Sequence, residues 1–294
     1  MTERQIALRR MLGRVGAWTF GFDGRAPDAL AGDIRTIEAM RFPVLWIPEG
    51  GGSNDVLTNL GWGLASSERL TMASGIANIT ARQPEVLARG AAFLAEAYPD
   101  RLVLGIGVGH EYTTERRSFD WSRPLERTCA YVQAMTAEDV ALPPRVLAAL
   151  GDGMLRLAGE LTEGAHTYFV PVAHTAHARD LLGPDPVLAV EVGVLPGLDD
   201  DSARAAAREW ARHYLELPNY ANNWRRLGFD ADPDGDDRLL EAALAWGDPS
   251  AIADRVHEHL DAGADHVCVQ VLNDAGPDDD LTSLAELAPF VLGS

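Results

Sequence analysis

Lysine is missing from this chain. Its 25 basic residues are all arginines, set against 44 aspartates and glutamates, which leaves a net charge of -19 over 294 residues. A field of that sign repels phosphate backbones and excludes nucleic acid as the partner for which the overall surface is built. Cysteine is scarce as well: Cys129 and Cys268 form no CxxC and have no companion Cys or His spacing. That excludes a disulfide scaffold and a structural zinc site, and it fits a reducing, cytoplasmic compartment. No apolar run reaches the roughly 18 to 20 residues needed to cross a bilayer. The opening "MTERQIALRRMLGRVGAWTF" lacks the apolar core and small-residue cleavage pattern of a secretory signal. The expectation is a soluble protein without a membrane partner. There is also no G-x-S-x-G elbow, no P-loop and no G-x-G-x-x-G that opens a helix, because "GIGVG" at 105–109 runs into the polar "HEYTTERRSFD".

What is abundant is acid in blocks: "DDDSARAAAREW" from Asp199, "DADPDGDDR" from Asp230 and "DDD" at 278–280. Aspartate suits helix N-caps and first turns, so these read as helix starts and solvated loops. The run "DADPDGDDRLLE" has the ligand spacing of a calcium loop, but Pro233 interrupts it and no entering helix precedes it. His174 and His177 lack a completing carboxylate, and His257 and His259 are two apart on a helix, where they face solvent or pack at the helix rim. No metal site is expected.

The chain is 47% apolar, enough for one large core. Strand-like runs at 14–20, 43–48, 69–79, 101–107, 145–150, 164–170, 187–194 and 266–272 alternate with helix patterns at 28–40, 53–65, 84–98, 123–138, 151–161, 174–182, 200–216 and 249–262. Repeated alternation predicts parallel strands covered by helices. Eight such units predict an α/β fold, a closed (β/α)8 TIM barrel in a single domain spanning 1–294, with a doubly wound open sheet as the alternative. Two segments interrupt the rhythm. Residues 108–122 form a polar, aromatic loop after the fourth strand, on the side where barrels carry their sites, and 218–247 form an excursion that folds back over the barrel or packs on a partner.

Two strands end in small residues: "RLTMASGIANIT" at 69–80 and "RLVLGIGVGH" at 101–110. Small residues there admit either a packed helix or a large group lying close to the backbone. Together with "GAWTF", "LWIPEG", "ASGIANI", "LAEAYPDRLVLGIGVGH", "PRVLAALG", "LPNYANNWRRLGF" and "GDPSAIADRVHEHLDAGADHVCVQVL", they give the chain a form that resembles the bacterial luciferase-like superfamily, and within it the actinobacterial deazaflavin-dependent oxidoreductases. The resemblance implies a TIM barrel that binds coenzyme F420 or, alternatively, FMN at the carboxyl ends of the strands. It implies a non-prolyl cis peptide within Ser74–Ile76, at Gly75–Ile76, with Ala73, Ser74, Gly75, Ile76 and Ala77 as the seat of the ring and Asn78 as a polar edge contact. Gly107, Val108 and Gly109 then admit the ring or ribityl chain. The resemblance points the anionic tail towards the fifth and sixth strand exits, with Gly151, Gly153, Gly164, Ala165 and His166 as candidates and Arg156 as a cation.

In related deazaflavin dehydrogenases an Asp–His pair follows the second strand, whereas this chain has Pro48-Glu49-Gly50. Glu49 and His110 are therefore the acid/base candidates. Trp18, Trp46 and Trp62 are candidate apolar walls. The expected function is F420-dependent hydride transfer to or from a small organic substrate. The alternatives are FMN-dependent monooxygenation and noncatalytic flavin or deazaflavin binding. A homodimer is implied by the resemblance.

Overall fold

The computed structural model describes residues 1–294 except 23, 51–53, 111–121, 234–235, 273–276 and 294. Its first helix, α1 (Glu3–Leu12), starts in a capping box between Thr2 and Gln5. Then follow β1 (Val15–Trp18), α2 (Pro27–Ala39), β2 (Val44–Ile47), α3 (Val56–Ser66), β3 (Thr71–Ser74), β4 (Ala77–Asn78), α4 (Pro84–Ala97), β5 (Leu102–Gly107) and α5 (Pro124–Thr136). The second half holds β6 (Arg145–Ala148), α6 (Asp152–Leu161), β7 (Gly164–Thr167), α7 (Val172–Leu182), β8 (Val187–Pro196), α8 (Asp200–Leu215), α9 (Pro218–Arg226), α10 (Asp237–Ala243), β9 (Ala245–Gly247), α11 (Pro249–Asp261), β10 (His266–Val271) and α12 (Pro277–Val291). Proline opens α2, α4, α5, α9 and α11, where its missing N–H has no partner to lose. The acidic blocks do start helices: Asp199 caps α8 and Asp236 caps α10.

All strand pairs are parallel, in the order β10-β1-β2-β3-β5-β6-β7-β8, and β8 pairs with β10 from Ala189↔His266 to Val194↔Val271. The sheet is thus a closed eight-stranded barrel surrounded by helices. Two short strands add to it. β4 pairs with β5 beyond the end of β3, and β9 pairs with the distal end of β8. Strand alternation divides the core in two. Leu45, Met72, Leu104, Leu147, Ala165, Leu188, Val190, Val267 and Val269 pack under the helices. Trp18, Val44, Trp46, Ala73, Val103, Val146, Val187, Ala189 and Cys268 fill the barrel, and Leu8, Met11 and Leu12 of α1 pack against them.

Polar groups also lie inside the fold. His266 donates from Nδ1 to the Gly13 carbonyl (3.0 Å) and accepts from Trp46 Nε1 (3.1 Å) at Nε2. His259 bonds to Thr175 Oγ1 (2.8 Å) and is wholly buried, whereas His257 is exposed, so of the two only His257 faces solvent. The excursion at 218–247 contains α9, α10 and β9. With α8 they form a second core in which Tyr214, Tyr220, Trp224, Leu239 and Leu240 pack with Phe169 and Leu195 at the ends of β7 and β8. The helices α1, α9, α10 and α12 were not expected, and the run at 69–79 is divided into β3 and β4. Among the described residues no helix is long and apolar enough to cross a membrane.

Burial holds His166 and His174 at a pKa of about 4, and His259 and His266 at about 3, so all four are neutral in the fold. In the unfolded chain they protonate near 6.5, and each then favours unfolding by about 1.4 kcal/mol per pH unit. The imidazole contribution to stability is complete above about pH 6.5 and is lost as pH falls towards 4. Thermal or urea midpoints are therefore expected to drop steeply below pH 6, and an unchanged midpoint from pH 7 to pH 4.5 would contradict this.

Candidate active site

The mouth of the barrel is organised around the segment from Ser74 to Asn78. The Gly75–Ile76 bond is cis, at the position implied by the resemblance. Gly75 N–H donates to the Ile47 carbonyl (2.8 Å), Glu49 N–H to the Ile76 carbonyl (3.3 Å), and Ser74 Oγ to the Gly105 carbonyl (2.8 Å). Ala73 packs inside the barrel and Ala77 outside it. The glycines of β5 accommodate this segment. A β-carbon on Gly105 would overlap the Ser74 carbonyl oxygen, one on Gly107 would lie 2.9 Å from Ile76 and Ala148, and one on Gly109 (φ +73°) would overlap Asn78 Oδ1. The reading that this row leaves room for a ring is corrected: the chain itself fills that space. Val108 packs against the outer core.

Glu49 is fixed. One carboxylate oxygen accepts from Asn78 N–H (2.8 Å), and the group is paired with Arg82, Nη1 lying at 3.0 Å, while the Glu49 carbonyl accepts from Asn78 Nδ2 (2.7 Å). Arg82 also reaches Asp55 at 2.6 Å. The side chains of Glu49 and Arg82 are 4% and 9% exposed. Burial pushes the Arg82 pKa down, but its bonds to Glu49 and Asp55 outweigh that and raise it. Glu49 thus ties the β2 exit to β4.

Beneath Gly75 two polar atoms are left over. His166 stacks on Trp46 (4.5 Å, 13° between planes) and lies 3.3 Å from the Ala189 carbonyl through Nδ1. A carbonyl only accepts, so the proton is on Nδ1 and Nε2 carries a lone pair. That lone pair has no partner among the described residues, and neither does the Trp18 Nε1–H. Both atoms face the same place, 3.3 and 2.6 Å from where a β-carbon on residue 75 would be. Buried polar groups are normally paired, so an unused donor beside an unused acceptor marks a place for ligand or water.

Above them is an aromatic rim. Trp18 packs on Phe20 (4.7 Å) and Tyr168 (5.4 Å). Tyr168 Oη donates to Gln270 Oε1 (2.8 Å) and, its single proton being used there, accepts from Tyr214 Oη (2.9 Å). The His110 ring lies 5.6 Å from that of Tyr220. Burial first, and then His213, lower the His110 pKa to about 4. Residues 111–121 of the expected active-site loop lie outside the described residues. Trp46 belongs to the barrel interior, and Trp62 is exposed on α3.

At the β6 exit, Gly151 caps α6 without a side-chain bond to the free N–H groups, and Gly153 lies on the first turn. Arg226 of α9 stands over this turn, donating to the Leu150 carbonyl (3.2 Å), with Nη1 3.8 Å from a β-carbon on Gly151. Arg156 is exposed and approaches Asp152 (3.9 Å), which also bonds to His177 (3.0 Å). Gly164 and Ala165 need correction. They open β7 at its amino-terminal end, where a β-carbon on Gly164 would overlap the Val187 carbonyl, so neither lies at a strand exit. Tyr168, Tyr220 and Arg226 went unrecognised, although "HTYF" within the sixth strand run and "NYANNWRR" in the excursion carry them. No cluster of three metal-ligating side chains occurs among the described residues.

The carboxyl ends of the parallel barrel thus carry an aromatic rim, a buried donor–acceptor couple without partners among the described residues and a helix start without a side-chain cap, on the face where barrels of this architecture carry their ligands. Residues 16–137 match the family described as luciferase-like monooxygenase. The 5,10-methylenetetrahydromethanopterin reductase of Methanolobus tindarius is 22% identical over 303 residues, spanning 85% of this chain and 93% of that protein. An F420-dependent secondary alcohol dehydrogenase, solved with an F420-acetone adduct, superposes with a TM-score of 0.73 at 17% identity, covering 95% of this chain and 98% of that one. The oxygenating constituent of 3,6-diketocamphane monooxygenase from Pseudomonas putida, solved with FMN, gives 0.69 at 14% identity and covers 95% and 98%. The chain is thus similar to the luciferase-like family over residues 16–137 and shares the barrel fold of these proteins along nearly its whole length.

Replacing Arg82 by Met removes the counter-ion of a buried carboxylate. The expected cost is about 3 to 5 kcal/mol in urea unfolding, with partial recovery when Glu49→Gln is added. A loss below about 1 kcal/mol would mean that the pair is solvated.

Proposed function

We propose that the chain is an F420-dependent oxidoreductase that moves a hydride between the deazaflavin and a small organic substrate. The observation that carries this reading is the unpaired couple of Trp18 Nε1–H and His166 Nε2 facing Gly75, which suits a ring with polar edges. The relatives named above add support, since the reductase spans most of the chain and the dehydrogenase is named for F420. Ser74 to Asn78, packed on Gly105, Gly107 and Gly109, would hold the ring. The N–H groups at Gly151 and Gly153, together with Arg226, form a donor set that suits an anionic tail.

The coenzyme, when bound, supplies the hydride chemistry. The chain's own part is to orient the substrate, exclude water and manage one proton. His110 is neutral above about pH 4 and is therefore able to take a proton under ordinary conditions. Tyr168 offers a hydroxyl whose orientation is fixed by Tyr214 and Gln270. Glu49 serves as a strut for the seat, its carboxylate being already paired.

Equilibrium binding followed by ring fluorescence tests the cofactor. Saturable binding of oxidised F420, at least about tenfold tighter than FMN, is expected, a margin of about 1.4 kcal/mol. Preference for FMN would move the reading to oxygen insertion, and binding of neither would end both. For His110→Ala, kcat is expected to fall by about 10²-fold or more while F420 affinity changes less than threefold, about 0.7 kcal/mol. Unchanged turnover would remove His110 from the chemistry.

A further inference from the structure

Glu191 is a carboxyl group in the barrel interior that the proposed reaction does not use. It is 1% exposed, sits opposite Cys268 of β10, and carries one oxygen, Oε1, without a partner among the described residues. Its other oxygen accepts from the backbone N–H of Phe169 at 3.0 Å. Phe169 has φ +54°, a left-handed conformation that bulky residues avoid unless something holds them there. The ring it carries packs against Trp210 (5.0 Å), Trp224 (5.2 Å), Tyr214 (5.6 Å) and Tyr220 (5.9 Å) of α8 and α9. The residue before it, Tyr168, bonds to both Gln270 and Tyr214. One bond from inside the barrel therefore fixes the turn on which the α8–α9 layer rests.

We propose that Glu191 is the positioning residue that seats the α8–α9 roof on the barrel mouth, acting through the Tyr168–Phe169 turn. It does so as a neutral acid. Burial raises its pKa to about 8, partly offset by the Phe169 bond, and among the described residues no group of opposite charge is set against it. The titratable groups that face this region are His166 of β7 and Tyr168 just beyond it, Cys268 and His266 of β10 and Tyr214 of α8, with His213 beside Tyr214. Tyr168 and Cys268 are pushed well above their ordinary values and His166 and His266 well below, so none of those four changes charge where Glu191 does. Above about pH 8 an unpaired charge would sit under the turn, and the roof would loosen. The inference holds for any ligand the site takes.

The test compares full-length wild type, Glu191→Gln and Glu191→Leu by near-ultraviolet circular dichroism from pH 6 to 10, with Trp210→Phe and Trp224→Phe controls assigning the roof signal. Wild type is expected to lose the roof signal with a midpoint near pH 8. The Gln variant keeps an acceptor for Phe169 N–H and stays neutral, so it should retain the signal throughout. The Leu variant should lack it already at pH 7, with far-ultraviolet dichroism intact. The sign in unfolding follows: between about pH 5 and 8 only the unfolded wild type ionises at residue 191, so the Gln variant's midpoint should rise relative to wild type with pH and level off above. An alkaline step that persists in the Gln variant, or a Leu variant with a native roof signal, would overturn the proposal.

Discussion

The carbonyl of Ser74 rests on the α-carbon of Gly105, in space that any side chain would claim, and the mouth of the barrel is built outward from that contact. Because Gly105, Gly107 and Gly109 stand aside in turn, the Ser74–Asn78 segment lies flat along β5 and β4 can pair with it. Glu49 reaches the same segment from β2, and Arg82 beyond it closes the clasp. Close backbone approach, and not an open cavity, explains the glycine row. The groups left unpaired among the described residues, Trp18 Nε1 and His166 Nε2, face Gly75 of this segment.

The absence of lysine finds its counterpart in how arginine is used. Arg179 donates to the carbonyls of Gly183, Pro186 and Gly263 and to Asp265, which Arg9 also reaches. Arg101 likewise gathers the carbonyls of Leu64, Ser67 and Leu70. A planar fork with five donors bridges several chain segments at once, which a single ammonium does less well. The large negative charge is thus an average over a molecule whose cations work as local cross-links.

The barrel was legible because its strands are buried on both faces, so apolar runs such as "VLWI" and "VLAVEVGV" stand out and their number gives the closure. The unexpected helices lack that contrast: α1 carries arginines on "ERQIALRRML", and α9 is the polar "PNYANNWRR", buried only through Tyr220, Ala221, Asn223 and Trp224. Gly164 was misplaced because a run of small and apolar residues does not mark which end of a strand it occupies. The partnership of Glu49 with Arg82, 33 residues away, and of Arg226 with the Leu150 turn, 76 away, belongs to the folded chain alone. Small residues also do not say whether they yield to a ligand or to the protein, and at β5 the structure decides for the protein.

Besides pairing with β7, β8 serves two further ladders. Its residues up to Val194 close the barrel against β10, and from Val194 to Pro196 it carries β9. Just beyond, Gly197 N–H meets the Gly247 carbonyl at 2.9 Å, so the chain leaves for the roof and returns from it through one hydrogen-bonded gate. Everything between those glycines is joined along the chain to the barrel through this one doorway, while the seam of the barrel closes behind it. The roof is therefore a replaceable cassette: an evolving or engineered lineage can redraw what covers the mouth without disturbing the cylinder that holds it.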